Sequence, residues 1–343
     1  MKKFLITLLA IVVLLSAFVL YTFSSTGFFR EVNNTESYEV IAEIPMKGAE
    51  DFTISYEDGF MIISQDDRAG RRDGNPNQGH LYYLDLDSGD FTPKKLTADY
   101  ELPFYPHGIS LLKLDSSKYQ ILVVNHARGH TIEKFELYRD RLVHISTFKD
   151  GSMISPNDVV ALTKDSFYFT NDHGYTSYWG RMAESYLGLS VSNVVFYDGS
   201  YRTVAEGISY ANGINISKDR KQLLVAAPRS FSLEYYSIEP DGGLTYDRSL
   251  DVRTGIDNIE LDENGDLWMG AHPSLLAFTS YAGGKSPLAP SEIIKVTGEE
   301  VESLYENDGS LVSASSVAAP YNDLLFIGTV MDESLVVLKK KGE

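Results

Sequence analysis

The chain of 343 residues carries 48 Asp and Glu against 30 Lys and Arg, has no Cys and is 43% hydrophobic, so it is long enough for a sizeable core and too apolar for general disorder. A formal net charge of −18 argues against nucleic-acid binding, which needs clustered Lys and Arg to neutralise phosphates. The lack of Cys excludes disulfide staples, thiolate nucleophiles and Cys-ligated metal centres, and the acid excess leaves solubility, divalent cations or basic partners to explain it.

Lys2 and Lys3 precede a charge-free, mostly apolar run from Phe4 to Phe23. As a helix such a run rises about 30 Å, the thickness of a bilayer's hydrocarbon core. The best small-x-small exit is the poor Leu15-Ser16-Ala17, which favours an uncleaved membrane anchor over residues 1–26, with a linker over 27–37, above a cleaved signal peptide. The two lysines place everything after Thr26 on the extracytoplasmic side, periplasmic or extracellular; cleavage would make the protein secreted.

From Tyr38 onward the pattern is all-β: short alternating runs rich in Val, Ile, Tyr and Phe, cut by Asp-Gly, Ser-Gly and Asn-Gly turns. One module recurs, in which a polar residue opens a strand, a tight turn leads to a second strand, and a variable loop leads to a hairpin. Glu50-Asp51-Phe52-Thr53-Ile54 turns into Phe60-Met61-Ile62-Ile63, with Leu81 to Leu84 and Phe91 to Leu96 as the hairpin. His107-Gly108-Ile109, Asn157-Asp158-Val159, Asn212-Gly213-Ile214 and Asp257-Asn258-Ile259 open the next four modules. In the fifth, Leu267-Trp268-Met269 is expected to be followed by strands at Leu275 to Phe278 and Ile293 to Val296. A sixth begins near Ser315-Ser316-Val317 and stops one strand short, while Tyr38 to Ile44 stands unpaired before the first module. Joining them closes a ring and removes two open edges, so the expectation for residues 38–343 is a six-bladed β-propeller whose terminal strands share the last blade.

In a propeller the first strand of every blade lines the central tunnel, so the residues that open these strands meet at one mouth. Here they are Glu50, His107, Asn157, Asn212 and Asp257, with Asn258 beside them. Turn chemistry alone favours Asp and Asn before strands. The alternative is a calcium ion, which takes six to eight oxygens from carboxylates and amides, and two carboxylates match its double charge.

The motifs Gly48-Ala49-Glu50-Asp51, Pro106-His107-Gly108-Ile109-Ser110, Val124-Asn125-His126, Pro156-Asn157-Asp158, Thr170-Asn171-Asp172-His173, Ala211-Asn212-Gly213-Ile214-Asn215-Ile216-Ser217 and Asp257-Asn258-Ile259 resemble the paraoxonase/arylesterase family of calcium-dependent lactonases. The resemblance covers nearly all of the chain after the anchor. It implies two calcium ions: a catalytic one held by Glu50, Asn157, Asn212, Asp257 and Asn258, and a structural one deeper in, held by Asp51, Asp158 and the carbonyl of Ile109. Adjacent side chains of a strand point in opposite directions, which suits pairs such as Glu50-Asp51 to two different ions. The resemblance further implies a histidine dyad, His107 and His126, beside the catalytic calcium, and a pocket lined by Asp172, Tyr210, His272 and Ser316. Vertebrate members tie their termini with a disulfide; without Cys, closure here must rest on strand pairing. The amino-terminal helix is present in kind, but its sequence differs too much to transfer a lipoprotein partner.

The reaction so implied is hydrolysis of a small-molecule lactone, with promiscuous action on aryl esters and phosphotriesters. The ion polarises the carbonyl, and His107 or a carboxylate such as Glu50 or Asp257 takes the proton of the attacking water. A non-catalytic, calcium-stabilised binding propeller is the alternative, and a gluconolactonase relative using another divalent metal a third reading. Asp262-Glu263-Asn264-Gly265-Asp266 reads as a hairpin turn, not an EF-hand. No Gly-x-Ser-x-Gly elbow occurs. Ser177 to Ser190 reads as an amphipathic helix that either roofs the site or packs on the propeller top.

Overall fold

The computed structural model describes residues 1–342. Its strands form six four-stranded antiparallel sheets. From the inside outward, the first blade is Ala49–Ser55, Phe60–Gln65, His80–Asp85 and Lys94–Lys95, and the second Pro106–Asp115, Lys118–Asn125, Thr131–Tyr138 and Arg141–Phe148. The third is Pro156–Thr163, Ser166–Asn171, Ser192–Tyr197 and Tyr201–Ile208, and the fourth Ile214–Ile216, Gln222–Ala227, Ser232–Ile238 and Leu244–Asp251. The fifth is Gly255–Leu261, Leu267–His272, Ser291–Thr297 and Glu300–Asn307. Ser315–Tyr321, Leu324–Thr329 and Ser334–Lys340 make the sixth with Tyr38–Pro45, whose register runs from Tyr38 opposite Lys340 to Pro45 opposite Ser334. Each innermost strand touches the next blade's, and the sixth touches the first, so the ring is closed by strand pairing without any disulfide.

Blades stack through both faces of their strands, which is why the strands read as continuous apolar runs. In the first blade Met61 and Ile63 pack against Val317, Phe326 and Val337 of the sixth, while Phe60 and Ile62 pack against Ile109, Ile121 and Val123 of the second. The period of two sends alternate residues to opposite neighbours. Each such side chain, fully buried, is worth roughly 1.5–3 kcal/mol of transfer free energy.

Two expectations fail. Leu275 to Phe278 is not a strand but the start of a helix, Leu275–Ala282, and the fifth blade takes its outer pair from Ser291–Thr297 and Glu300–Asn307. Ser274 caps that helix, its Oγ accepting from Ala277 N, and the apolar run is made of helix-tolerant Leu, Ala and Phe. The strand expected over Phe91 to Leu96 shrinks to Lys94–Lys95 because Pro93 has no N–H to offer the ladder, and Phe91 turns inward onto Phe326 instead. The helix expected over 177–190 is observed as Tyr178–Leu187, capped by Ser177 Oγ and ended by Gly188 at φ 68°.

The amino-terminal helix Lys2–Ser25 exposes its apolar side chains along most of its length. Its carboxyl end is fastened to the propeller: Tyr21 Oη donates to the Leu187 carbonyl at 3.2 Å, Arg229 Nη1 to the Ser25 carbonyl at 3.0 Å, and Leu275 N to the Thr26 carbonyl at 2.9 Å. The following segment runs along the fifth blade, where Arg30 Nη2 bridges Glu292 (2.5 Å) and Glu306 (2.7 Å).

Candidate active site

The innermost strands are irregular at their starts. Pairing with the second strand skips Glu50 in the first blade, His107 and Gly108 in the second, Asn157 and Asp158 in the third, Asp257 and Asn258 in the fifth, and Ser316 in the sixth. In the fourth blade Asn212 and Gly213 precede the paired strand altogether. Such bulges bend a strand and re-aim its side chains. The result is a cavity of about 400 Å³ at one mouth of the tunnel whose wall includes Glu50, His107, Asn157, Asn212 and Asp257 together. Residues separated by more than 200 positions thus share one wall.

Asp172, Tyr210 and His272 also line this cavity, with the charged Arg68 and the apolar Pro228, Leu275, Phe278, Ala282 and Val330. Asn258 and Ser316 stand behind Glu50: Asn258 Nδ2 donates to the Glu50 carbonyl and to its Oε1, both at 3.1 Å, and Ser316 Oγ donates to the same carbonyl at 2.5 Å. Ser185, from the helix Tyr178–Leu187, borders the cavity, so that helix flanks the opening.

Among the described residues, no group of three or more His, Asp or Glu side chains is arranged to hold a metal. The oxygen donors at the mouth are instead mixed, two carboxylates with three amides. The Oδ1 atoms of Asn157, Asn212 and Asn258 are buried without a hydrogen-bond partner, as is Asp172 Oδ1. Deeper in, Asp51 Oδ2 accepts from Ile109 N at 2.8 Å and Asp158 Oδ2 from Ile214 N at 2.8 Å. Burial first, then the Asp158 charge, holds the Asp51 carboxyl well above the ordinary range, and burial does the same to Asp158 against two main-chain hydrogen bonds. Gly108 lets this happen: a Cβ there would lie 2.2 Å from Asp158 Oδ1.

The two carboxylates at the mouth are pushed apart. Burial raises Glu50, but His107 and Arg68 outweigh it and hold the carboxyl well below its usual range. Asp257 is raised by burial despite its hydrogen bond with His272, whose Nε2 stands 3.1 Å from Asp257 Oδ2. His107 reaches Glu50 Oε1 through Nε2 (3.3 Å) and His126 Nε2 through Nδ1 (2.6 Å). Burial, then His107, pushes His126 well below the usual imidazole range. The Tyr210 hydroxyl is raised by the Asp172 charge and by burial.

Sequence reasoning missed two residues. Arg68 arrives on the short helix Arg68–Arg72, its Nη2 3.3 Å from Glu50 Oε2. His130 extends the histidine pair, its Nδ1 3.0 Å from His126 Nδ1; the spacing His126-x-x-x-His130 was its only signal.

Fold and site together define a closed six-bladed propeller with its polar chemistry gathered at one tunnel mouth. The sequence profile of the arylesterase family matches residues 48–337. Human (Homo sapiens) serum paraoxonase/arylesterase 1 is 34% identical over 304 residues, covering 84% of this chain and 85% of its own length. Chicken (Gallus gallus) serum paraoxonase/arylesterase 2 is 33% identical over 305 residues, with 84% and 85% covered. Among solved structures, a gluconolactonase from Xanthomonas campestris superposes with a TM-score of 0.53 at 13% identity, covering 90% of this chain and 93% of its own. Regucalcin from Agrobacterium tumefaciens, a calcium-binding protein, gives 0.52 at 15%, covering 88% and 93%. These two likenesses concern the fold alone. The chain belongs to the paraoxonase/arylesterase family.

Proposed function

We propose that the protein is a calcium-dependent hydrolase that opens lactones and cleaves aryl esters. The observation that carries this reading is the set of buried, partnerless amide oxygens of Asn157, Asn212 and Asn258, collected with the Glu50 and Asp257 carboxylates. A buried oxygen left without a partner costs about 1–3 kcal/mol, so three at one place call for a ligand that satisfies them. The donor set is all hard oxygen with two negative charges, which fits calcium. These five residues would hold a catalytic ion, and Asp51, Asp158 and the Ile109 carbonyl a second, structural one. Family membership supports the same chemistry.

When bound, calcium supplies Lewis-acid polarisation of the substrate carbonyl. His107 is taken as the general base: imidazole is the side chain that most often takes this role, and His107 lies on the cavity wall with Glu50 and Asp257. His126 Nε2 sits against His107 Nδ1 and orients the ring. Leu275, Phe278, Ala282 and Val330 take the apolar part of the substrate and exclude water from that side. Asp172 and Tyr210 position its polar part.

The helix Lys2–Ser25 anchors the protein in a membrane with the propeller outside the cytoplasm, supported by its length, its exposed apolar surface and the flanking Lys2 and Lys3. Purified full-length protein is expected to hydrolyse an alkyl lactone, to lose that activity in a calcium chelator and to regain it on calcium addition. Turnover that persists through chelation contradicts the reading. A propeller that calcium stabilises but that turns over no lactone or aryl ester of any chain length would be a binding module instead.

A further inference from the structure

Two guanidiniums line the cavity, those of Arg68 and Arg229. Arg229 is engaged in holding helix ends together: Nε donates to the Ser185 carbonyl at 2.7 Å, Nη1 to the Ser25 carbonyl at 3.0 Å, and Nη2 to Ser25 Oγ at 3.0 Å and to the Tyr186 carbonyl at 3.3 Å. Arg68 is different. Its acceptors among the described residues are Glu50 Oε2, 3.3 Å from Nη2, the Val330 carbonyl, 3.4 Å from Nη1, and Asp66 Oδ2, 3.9 Å from Nε. Charged N–H···O pairs usually close to about 2.7–2.9 Å. None of these does, although the Arg68 side chain is only 10% exposed.

The neighbouring sequence explains why. Asp66 is the nearest carboxylate in the chain, but Arg71 takes it at 2.7 Å while its guanidinium carbon lies 4.5 Å from the centre of the Tyr105 ring. Asp67 is occupied as the cap of the helix Arg68–Arg72, its Oδ1 accepting from Gly70 N at 2.8 Å. That leaves Glu50, whose Oε1 also accepts from Asn258 Nδ2 and faces His107 Nε2. Glu50 is one of the residues that would hold the catalytic ion, and oxygens turned to a cation are lost to Arg68. A planar fork of five N–H donors then stands in the cavity wall without a matching acceptor, and a buried charge left unpaired is costly.

What stands beside the fork sets its ligand. Arg72, on the same short helix, donates from Nη1 to the Tyr281 and Ala282 carbonyls at 3.2 and 3.3 Å, capping the carboxyl end of Leu275–Ala282. The helix that carries Arg68 is thereby fixed to the one that carries Phe278 and Ala282, and Val330, whose carbonyl Arg68 touches, lines the cavity with them. A cationic fork next to apolar side chains suits an anion with an apolar chain, and the fork matches a carboxylate bidentately. Opening a lactone or cleaving an ester leaves a carboxylate in the cavity at every turnover. We infer that Arg68 is the specificity-determining anion site of the cavity: it binds a carboxylate, either carried by the substrate or formed as the product. The inference rests on the hydrolase reading.

Two consequences of opposite sign follow from this placement. Arg68 and the ion would share Glu50, so removing the guanidinium relieves both the competition and the like-charge repulsion and tightens calcium binding. The same removal deletes the fork, so carboxylates bind less well. A residue that merely propped Glu50 in place would weaken calcium binding when removed.

The test uses full-length protein in detergent as wild type, Arg68→Met and Arg68→Lys, the last keeping the charge without the fork. Calorimetric titration of calcium into chelator-stripped protein is expected to show Arg68→Met binding about threefold more tightly or better, with Arg68→Lys close to wild type. Titration of δ-hydroxyvalerate, the product from δ-valerolactone, into calcium-loaded protein is expected to show about tenfold weaker binding in Arg68→Met and an intermediate loss in Arg68→Lys. The ratio of kcat/KM for paraconate, a γ-butyrolactone bearing a carboxylate, to that for uncharged paraconamide is measured on the same samples. An affinity for δ-hydroxyvalerate that depends on Arg68 assigns the product's carboxylate as the ligand, and a preference for paraconate that depends on Arg68 assigns the substrate's. Weaker or unchanged calcium binding in Arg68→Met overturns the inference, as do variants that match wild type in both carboxylate measurements. Should Arg68→Met fail to fold, Arg68→Lys decides through those two measurements. A wild type that opens no lactone and cleaves no phenyl acetate, but whose affinity for δ-hydroxyvalerate falls in Arg68→Met, ends the hydrolase reading and leaves the anion site standing.

Discussion

His272 lies flat against Phe278, ring centroids 3.9 Å apart and planes 10° from parallel, while its Nε2 faces Asp257 Oδ2. One apolar side chain on the helix Leu275–Ala282 thus braces a carboxylate of the tunnel mouth through a single imidazole. Phe278 is also part of the apolar cavity wall. Phe278→Ala is expected to raise KM for aryl esters and long-chain lactones about tenfold, equivalent to ~1.4 kcal/mol, and to affect the smallest lactones least. Michaelis curves across a homologous lactone series check this; a uniform effect at every chain length contradicts it.

Asn212→Ala separates the cost of an unsatisfied oxygen from the gain of binding an ion. Without calcium the Asn212 Oδ1 is buried and partnerless, so its removal should leave the melting temperature of chelator-treated protein unchanged or slightly higher. With calcium present, the variant should lose most of the ion's stabilisation and bind it about ten- to a hundredfold more weakly. Melting curves at graded calcium, with and without the substitution, give both numbers.

Above the ordinary imidazole value of 6.5, the stability of the calcium-free protein should fall as pH rises. Burial holds Asp51 and Asp158 well above the ordinary aspartate value of 3.8, so above that value the folded protein binds more protons than the unfolded chain. Stability is then greatest at low pH within this window and is lost toward the raised folded values. Glu50 has the opposite sign, but its contribution is complete above its ordinary value of 4.5. Burial lowers His126, His130 and His80, which have the opposite sign up to the ordinary imidazole value of 6.5, so the aspartates, with Glu260 raised in the same sense, decide the slope above that value. Calcium displaces their protons, so its stabilising effect should grow with pH. A chelated protein whose melting temperature climbs across this window goes against the assignment.

Gly108→Ala tests the close approach of the second and third blades. The added Cβ would lie 2.2 Å from Asp158 Oδ1 and 2.4 Å from its Cα, against backbone that cannot move alone. A loss of about 1–3 kcal/mol or more is expected in denaturant unfolding, with weaker calcium stabilisation. Gly151→Ala, with nothing within 4 Å and no left-handed φ, is the control and should be neutral.

Much of this arrangement was legible because propeller strands carry their signal locally. The alternation in Phe60-Met61-Ile62-Ile63 and its counterparts set the blade phase, and the phase alone brought Glu50, His107, Asn157, Asn212 and Asp257 to one mouth. The orphan strand Tyr38 to Ile44 announced the closure seen with Ser334–Lys340. Leu275 to Phe278 misled because a four-residue apolar run has no period, and the cap at Ser274 decides between helix and strand. Arg68 and His130 lie on a five-residue helix and a strained turn, where no periodicity points toward the site. The position of Ser316 behind Glu50 depends on a bulge, which shifts a side chain by one place without leaving a mark in composition.

The most direct measurement is a calcium titration of chelator-stripped, full-length protein in which lactone hydrolysis and melting temperature are followed on the same samples, for wild type and Asp257→Asn. Activity that appears with calcium in the wild type and needs markedly more of it, or never appears, in the variant is the predicted result. Full hydrolysis by the stripped wild type, or identical titration curves for the two proteins, would contradict the account.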